Sequence, residues 1–463
     1  MLTCTLDSAS RVTLTDQLYQ ALRAEIDSGH MAPGDKLPSK RQLAEHLHVS
    51  TATVEAAYGR LASEGFCESR PRSGMYVAQQ LPRAGVAAHP QAVPVRWDFS
   101  TGAADAEHFP YSTWARLMRE VLSEQNTALL LAGDPQGSYA LRCEMAQMMR
   151  SLRGVEVTPE QIVLGAGTEV LVTALTSVLG REKLFAVEDP GYSRVRRILV
   201  ASGARIVPIP LAGGAIDVGA LYMSGAGAAY VTPSHQFPLG GEMSAGQRAA
   251  LLRWARETGG YILEDDYDSE FRFVGRPIPS LYSTDENQRV VYLNTFSKTI
   301  APSIRISYMI LPPRLLERYR KNLGFYSCTV SGFEQYTLAK FLEQGYFERH
   351  LGRMRNRYRQ KRDQVMGEFL HGPLAGRVKI TGQDAGLHFL AELQTKLPDA
   401  ELQRRAAEKG LRLAMLSDYY HEPKETRQHT LVVNYSGLEL QCLPRALEHL
   451  ADIMREETTC TTN

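Results

Sequence analysis

The chain has 463 residues, of which 44% are apolar and 22% charged, and this indicates a soluble protein of two or three domains. A net charge of +1 neither favours nor excludes a nucleic-acid partner, and no apolar run approaches the ~20 residues that span a bilayer. The six cysteines are scattered without a C-x-x-C pair, so we expect no disulfide framework and no metal site. The first residues lack the basic and apolar stretches of a signal peptide, and we therefore expect a cytoplasmic protein with no membrane contact.

The first 78 residues predict a winged helix-turn-helix. Apolar residues at helical spacing indicate a first helix, which Gly29 ends. Ser39 and Ser50 are suited to cap a second and a third helix, with a tight turn between them. Two extended stretches between Phe66 and Val77 are typical of a hairpin with Gly74 at its tip.

The position of the charges, and not their number, favours a DNA-binding unit. Residues 1–80 hold 8 Lys and Arg against 9 Asp and Glu, a net charge of −1. Six of the eight basic residues, including Lys36 and Arg60, lie on the expected docking elements, while acids such as Asp16 fall elsewhere. The same pattern also occurs in purely structural helical modules. The residues predicted to contact double-stranded DNA are Lys40, Arg41, Ser50, Thr51, Thr53, Arg70, Arg72 and Gly74.

Two further segments follow this unit. Residues 79–96 are rich in Ala, Pro, Gly and Gln without periodicity, which indicates a flexible linker. From residue 97 to residue 463, short apolar strands alternate with helical stretches. This alternation predicts an α/β domain with a mostly parallel sheet and a small α+β subdomain from about residue 372. Functional side chains should then lie in the loops after the carboxyl ends of the strands.

Several of those loops carry residues suited to an aldehyde cofactor with a phosphate. Lys298 follows a strand and precedes Arg305 by seven residues, as expected for a Schiff-base lysine beside an arginine that binds phosphate. Asp265 ends an earlier strand, where it could pair with a protonated pyridine nitrogen, and Tyr267 could donate to a phenolate oxygen. Gly167-Thr168 precedes a helix, whose free N–H groups bind anions. Each motif alone is also typical of ordinary surface loops, and their order is what favours the cofactor.

The N-terminal unit resembles the GntR family of bacterial regulators. The resemblance lies in Pro33-Gly-Asp-Lys-Leu-Pro-Ser-Lys-Arg-Gln-Leu-Ala, Val49-Ser-Thr-Ala-Thr-Val, Tyr58-Gly-Arg-Leu-Ala-Ser-Glu-Gly and Arg72-Ser-Gly-Met-Tyr-Val. By position it implies DNA contacts from Arg41, Thr51, Thr53 and Gly74. Glu55 departs from the family, since some members carry an arginine there, so the base preference is not transferable.

The later motifs resemble fold-type I aminotransferases, and the whole chain resembles the MocR (GabR-like) branch of the GntR family. This resemblance is carried by Thr232-Pro-Ser-His-Gln-Phe-Pro-Leu-Gly, Glu264-Asp-Asp-Tyr-Asp-Ser-Glu-Phe and Phe296-Ser-Lys-Thr-Ile-Ala-Pro-Ser-Ile-Arg. It implies pyridoxal 5'-phosphate (PLP) held by Lys298 as a Schiff base, with Asp265 at the pyridine nitrogen and Tyr267 at the phenolate. The resemblance places four residues around the phosphate, namely Ser297, Arg305, Gly167 and Thr168. It also implies that Tyr192 lies near the ring and that Arg194 faces the effector.

Two departures bear on activity. Phe237 stands where aminotransferases have the asparagine of an Asn-Pro-x-Gly motif, and Val432 stands at or near the place of their carboxylate-binding arginine. Arg412 is an alternative source of that charge. We therefore expect a regulator that senses an amine metabolite or PLP itself, in a homodimer whose heads pack on the partner's large domain, as the resemblance implies. An active aminotransferase with an appended head and a DNA-binding protein with a cofactor-free domain are the alternatives.

Overall fold

A computed structural model gives the placement of residues 6, 12–70, 73–78, 95–100, 106–124, 127–275, 279–422 and 426–455. The chain divides into two compact units, Met1–Ala92 and Val93–Asn463. Most of the expected linker and one predicted DNA contact, Arg72, lie outside the described residues. Within the described ranges no helix is long and apolar enough to cross a membrane.

The N-terminal unit is a winged helix-turn-helix, as predicted. Its elements are α1 (Leu14–Asp27), α2 (Lys40–His46), α3 (Thr51–Ser63), β1 (Cys67–Arg70) and β2 (Gly74–Val77). Ser39 and Ser50 cap α2 and α3 by accepting the backbone N–H three residues on. Leu22 of α1 and Leu61 of α3 are fully buried in a common core. Gly74 is the first residue of β2, opposite Arg70, and therefore lies just past the expected hairpin tip.

The C-terminal unit contains more helices and strands than the sequence pattern indicated. Its helices are α4 (Tyr111–Ser123), α5 (Tyr139–Arg153), α6 (Thr168–Leu179), α7 (Ser193–Ala201), α8 (Val218–Ser224), α9 (Ala245–Thr258), α10 (Leu281–Thr284), α11 (Pro313–Leu323), α12 (Gly332–Glu343), α13 (Tyr346–His371), α14 (Asp399–Glu408) and α15 (Leu443–Arg455). Its strands are β3 (Trp97–Asp98), β4 (Ile162–Gly165), β5 (Leu184–Asp189), β6 (Arg205–Ala212), β7 (Ala215–Ile216), β8 (Ala228–Val231), β9 (Tyr261–Asp265), β10 (Val290–Thr295), β11 (Ser307–Ile310), β12 (Val378–Thr381), β13 (His388–Leu393), β14 (Leu411–Arg412) and β15 (Thr430–Asn434).

A mostly parallel eight-stranded sheet organises this unit, which confirms the predicted fold class. The strand order is β4-β11-β10-β9-β8-β5-β6-β7. Strands β10, β9, β8, β5 and β6 pair in parallel. Strand β11 is antiparallel to both of its neighbours, so β4 runs in the same direction as β10. Every residue of β8, β9 and β10 is buried, as expected for strands covered on both faces.

After the long helix α13, the chain forms a smaller antiparallel sheet. Its order is β12-β13-β15, and the register pairs Leu390 with Val432 and His388 with Asn434. Strand β14 pairs in parallel with β3, which precedes the large sheet in sequence. A 3-10 helix, Leu416–Tyr419, lies between β14 and β15. Its Tyr419 carbonyl accepts the Gly191 N–H at 3.2 Å, so this segment lies against the loop after β5.

Candidate functional site

The strand ends collect the candidate residues at one edge of the large sheet. Gly167 follows β4, Asp265 ends β9, and Lys298 follows β10. These three strands run in the same direction, so their carboxyl ends lie at the same edge. Arg305 precedes the antiparallel β11, which begins at that edge. The sheet topology therefore brings together residues up to 138 positions apart in the sequence.

One corner of the site is built to receive an anion. The Arg305 guanidinium donates from Nη2 to the Ala166 carbonyl oxygen at 2.9 Å. Gly167 has φ +107°, and a Cβ at this position would lie 2.1 Å from Arg305 Nη2, so only glycine permits this approach. Helix α6 begins at Thr168, and its first N–H groups face no intrahelical partner. Sequence analysis missed Thr329, whose hydroxyl accepts the Ala166 N–H at 2.9 Å.

A carboxylate of the chain occupies this corner. Glu169 approaches Arg305 Nη2 at 2.8 Å through one oxygen and Arg194 Nη1 at 3.5 Å through the other. Partial burial raises the pKa of Glu169, but its own backbone N–H, Arg305 and Arg194 outweigh this and lower it overall. Any anion that binds Arg305 must therefore displace or adjoin a negative charge. Glu169 directly follows the Gly167-Thr168 pair of the sequence analysis, but the sequence pattern gave no sign of its pairing with Arg305.

Asp265 is buried and accepts a hydrogen bond from the Tyr230 hydroxyl of the neighbouring strand β8. Burial raises the pKa of the Asp265 carboxyl to about 7, with Asp266 and Asp268 adding to the rise. The Tyr230 hydrogen bond and the charge of Lys298 act in the opposite direction. Tyr230 and Lys298 thus stabilise the ionised form of Asp265. No sequence motif indicated the contact with Tyr230.

Lys298 is half-buried at the same edge. Burial lowers the pKa of its ammonium group, the positive charge of Arg194 adds to this, and Asp268 and Asp265 oppose it. A lowered pKa increases the fraction of neutral amine, which is the nucleophilic form of a lysine. Ser297 is also half-buried, and its backbone N–H donates to the Thr295 hydroxyl at 3.1 Å.

Tyr267 belongs to a group of buried polar side chains that sequence analysis did not assemble. His235 Nδ1 lies 3.0 Å from Asp268 Oδ2, so this nitrogen carries the proton and donates. The Tyr267 hydroxyl, 3.2 Å from the same nitrogen, therefore donates to the His235 carbonyl oxygen, also at 3.2 Å. Asp268 also accepts the Leu387 N–H at 3.1 Å, which fixes its orientation. His235, Tyr267 and Asp268 each stood within a recognised motif, but no motif indicated that these side chains contact one another.

The opposite side of the site is aromatic. The Phe237 ring lies 5.7 Å from Tyr192, 5.0 Å from His388 and 5.1 Å from Tyr419 between ring centroids. Val432 is fully buried. Arg412 is exposed and pairs with Asp98 at 3.1 Å, so the alternative carboxylate-binding arginine is engaged elsewhere.

In the N-terminal unit, the predicted DNA contacts differ in how they are held. Thr51 and Arg41 are exposed, whereas Ser50 is occupied as the cap of α3 and lies 2.9 Å from the Thr53 hydroxyl. Lys40 forms an ion pair with Glu55 at 2.5 Å, so the family departure at Glu55 neutralises a predicted phosphate contact.

Two basic residues of the same unit bind acids of their own chain. Arg70 pairs with Glu68 at 2.6 Å and lies 4.4 Å above the Tyr76 ring. Arg60 pairs with Asp16 at 2.7 Å. The expectation that Asp16 lies away from the basic docking residues was therefore wrong, because α1 packs against α3 and brings this acid to Arg60.

Known proteins match both units. Residues 14–77 match the bacterial regulatory proteins of the gntR family, and residues 97–428 match aminotransferases of class I and II. The chain is 38% identical to YhdI of Bacillus subtilis (strain 168), an uncharacterized HTH-type transcriptional regulator, over 96% of each chain. It is 34% identical to the probable rhizopine catabolism regulatory protein MocR of Rhizobium meliloti, over 96% of this chain and 94% of that one.

A further relative and a solved structure extend the comparison. The HTH-type pyridoxine biosynthesis transcriptional regulator PdxR of Corynebacterium glutamicum is 32% identical, over 88% of this chain and 89% of that one. The structure of the kynurenine aminotransferase of Pyrococcus horikoshii has a TM-score of 0.69 at 23% identity, covering 78% of this chain and 91% of that chain. At this identity the likeness shows the fold alone.

The winged head and the aminotransferase fold define a two-module transcription regulator. The chain belongs to the MocR-like branch of the gntR family. The gntR-type head implies DNA binding, and the aminotransferase class I and II fold of the C-terminal unit implies PLP binding.

If Arg305 binds the phosphate of PLP, as the sequence predicts, replacement of Glu169 by Gln should tighten PLP binding by about threefold, because the phosphate no longer meets a like charge there. Titration of cofactor-free protein with PLP, followed by absorbance, measures the dissociation constant. Glu257→Gln, which removes an exposed acid from α9, is the matched control and should change nothing. Weaker binding in Glu169→Gln would mean that this carboxylate positions Arg305 for the phosphate.

Replacement of Tyr230 by Phe should weaken PLP binding near neutral pH by about tenfold, the worth of one hydrogen bond to a charged group. Loss of this bond raises the pKa of Asp265 further, so less of the carboxyl is ionised for the predicted pairing with a protonated pyridine nitrogen. The deficit should shrink in alkaline buffer, where Asp265 ionises again. Tyr222→Phe, which removes a surface hydroxyl bound to Glu257, is the control. A deficit that does not depend on pH contradicts this explanation.

Replacement of Glu55 by Gln should strengthen binding to a duplex by about threefold and steepen its salt dependence by about one counterion, because Lys40 becomes available to a phosphate. Fluorescence anisotropy with labelled duplex DNA over a range of salt concentrations measures both. Glu25→Gln, at an acid that pairs with His30 on another surface, should behave as the native protein. An unchanged salt slope would show that Lys40 does not face DNA.

Proposed function

We propose that this regulator holds PLP through Lys298 and changes its action on DNA when an amine metabolite, or PLP itself, occupies the site. The observation that carries the proposal is the meeting of Lys298, Asp265 and Arg305 at one edge of the sheet. A half-buried lysine with a lowered pKa, a buried acid and a phosphate-binding arginine are the groups that this cofactor requires.

The anion corner supports the fit of the phosphate. The space that a Cβ of Gly167 would fill is bounded by Arg305, so the backbone is shaped for close approach. Arg305, Ser297, Gly167 and Thr168 would bind the phosphate, with the dipole of α6 favouring its charge. Asp265 would hold the pyridine nitrogen, Tyr267 the phenolate oxygen, and Tyr192 would lie near the ring. When bound, PLP supplies an aldehyde carbon that forms imines with amines.

Sensing follows from competition for Lys298. An incoming amine that takes the place of Lys298 returns the lysine to its free form beside Asp268 and Asp265, which then stabilise its positive charge. Arg194, held near Lys298 by Glu169, is suited to contact the incoming ligand. A ligand shifts the DNA-binding equilibrium only by its difference in affinity between the two forms. The printed names of MocR and PdxR, which refer to rhizopine catabolism and pyridoxine biosynthesis, are consistent with either kind of effector.

A second copy of the chain and a double-stranded operator complete the proposal. Leu130, Leu131 and Phe325 are 81%, 71% and 80% exposed, and apolar side chains of this size are suited to a surface that a second copy would cover. A two-fold homodimer would present two heads to two DNA half-sites. A DNA-binding regulator acts where the DNA is, and we propose that this protein lies in the cytoplasm.

Replacement of Lys298 by Ala tests the central claim. The native protein with PLP should be yellow, and the variant should lose this absorbance band and bind PLP more weakly, because no covalent bond forms. Lys321→Ala, in the last turn of α11, should retain the band. A native protein that stays colourless with added PLP would refute the cofactor assignment. Turnover with an amino donor and an oxo-acid acceptor would instead favour an active aminotransferase with an appended head.

A further inference from the structure

One side of the site around Lys298 is lined by apolar and aromatic groups, here called the apolar wall. Four of its side chains are buried, namely Leu390, Ala414, Leu416 and Val432. Four more are half-buried, namely Phe237, Leu239, Tyr419 and Tyr420. The wall joins β13 and β15 of the small sheet to the loop after β8 and to the 3-10 helix that ends at Tyr419.

The wall reaches the site through Phe237. This ring contacts Tyr267 at 6.3 Å and Tyr192 at 5.7 Å between centroids, and both tyrosines sense the charge of Asp265. On the other side, Phe237 contacts His388 at 5.0 Å. Burial, His235 and the positive charge of Lys298 lower the pKa of His388, which is consistent with its position between the wall and the lysine.

The register of the small sheet extends the wall beyond Phe237. His388 and Leu390 alternate along β13 and so share one face, and Leu390 is paired directly with Val432. The Val432 N–H donates to the Ala414 carbonyl oxygen at 2.8 Å, so the segment that follows β14 belongs to the same surface. A ligand body that extends from Lys298 to Phe237 therefore meets an apolar surface that is backed by buried aliphatic side chains.

Three arginines that could bind a carboxylate are paired with acids of the chain. Arg305 and Arg194 are both bound to Glu169 at the anion corner. Arg412 pairs with Asp98. A carboxylate placed against the wall would lose its water without gaining a positive partner, which is unfavourable, whereas an apolar group gains by leaving water.

We infer that the effector is a primary amine with an apolar or aromatic body and no carboxylate, the body lying against Phe237, behind which Val432 is packed. This inference rests on the proposed function, since it requires Lys298 to be exchanged. In the exchange, the nitrogen of the ligand forms the carbon–nitrogen double bond as the bond to Lys298 Nζ breaks. The two protons that the incoming ammonium loses pass to Lys298 Nζ, which leaves as an ammonium group, and nothing is oxidised or reduced.

Matched ligand pairs test the inference on the PLP-loaded full-length protein. Phenethylamine and phenylalanine differ only in the carboxylate, as do 3-methylbutylamine and leucine. The absorbance change on titration gives each dissociation constant, and the shift in Tm gives an independent readout. Each amine should bind at least about tenfold tighter than its amino acid, because the carboxylate finds no partner. Equal or tighter binding of the amino acids, or equal binding of ethanolamine, would overturn the inference.

Two variants locate the selectivity. Val432→Arg should reduce or reverse the preference for phenethylamine over phenylalanine, by about tenfold, because it places a cation on the wall. Since Val432 is buried, this variant is used only if it retains the yellow band. Phe237→Ala, at a half-buried ring, should weaken phenethylamine but leave methylamine unchanged. Equal losses for both amines would contradict a contact with the body of the ligand.

Measurements on the native protein distinguish a failure of the proposed function from a failure of the inference about the effector. A colourless native protein, or a band that Lys298→Ala retains, refutes the proposed function itself. A band that depends on Lys298, together with a preference for amino acids over amines, refutes only the apolar wall as the determinant of the effector. In that outcome Arg194 becomes the expected partner of the carboxylate, and Arg194→Gln should weaken phenylalanine alone.

Discussion

The covering of the large sheet on both faces is the constraint on which the site depends. Strands β8, β9 and β10 are buried at every residue, so their middles hold apolar side chains and their chemistry is confined to the carboxyl ends and the loops that follow. Parallel direction then places these ends at one edge. Lys298, Asp265 and Gly167 therefore lie at the same edge because of the strand order, although they are far apart in the sequence.

The same constraint explains the electrostatics of the edge. Burial raises the pKa values of Glu264 and Asp265 to about 7, and each carboxyl is held by hydrogen bonds rather than by water. Glu264 accepts the Leu281 and Tyr282 N–H groups at 2.8 and 2.9 Å. Asp266 is ion-paired with the largely buried Arg153. A lysine in this setting loses water as well, and the neighbouring acids limit how far its pKa falls.

Charge in the N-terminal unit is likewise determined by packing. The position of the basic residues indicated a docking surface, but Arg60 is bound to Asp16 and lies 4.0 Å above the Tyr19 ring, so it stabilises the contact of α1 with α3. Lys40 and Arg70 are also paired with acids of the same unit. The residues that remain for DNA are fewer than the sequence pattern suggested, and phosphate binding at these positions competes with internal ion pairs.

The sequence by itself determined the two modules, the caps Ser39 and Ser50, and the parallel sheet, because turn chemistry, capping and hydrophobic periodicity are local properties. It missed β6, where Pro208 and Pro210 and partial exposure mask the strand pattern near the sheet edge. The order of the motifs and their resemblance to aminotransferases also predicted that Lys298, Asp265 and Arg305 serve one site, without showing what surrounds them.

Only the tertiary structure decided those surroundings. Tyr230 on Asp265, Glu169 on Arg305 and the packing of Val432 against Leu390 join residues from different strands and helices. None of these pairs has a local signature, because hydrogen bonds and packing across a sheet depend on strand order and register. The sequence therefore determined which groups the protein carries, and the fold determined which of them are charged, paired or apolar where a ligand would lie.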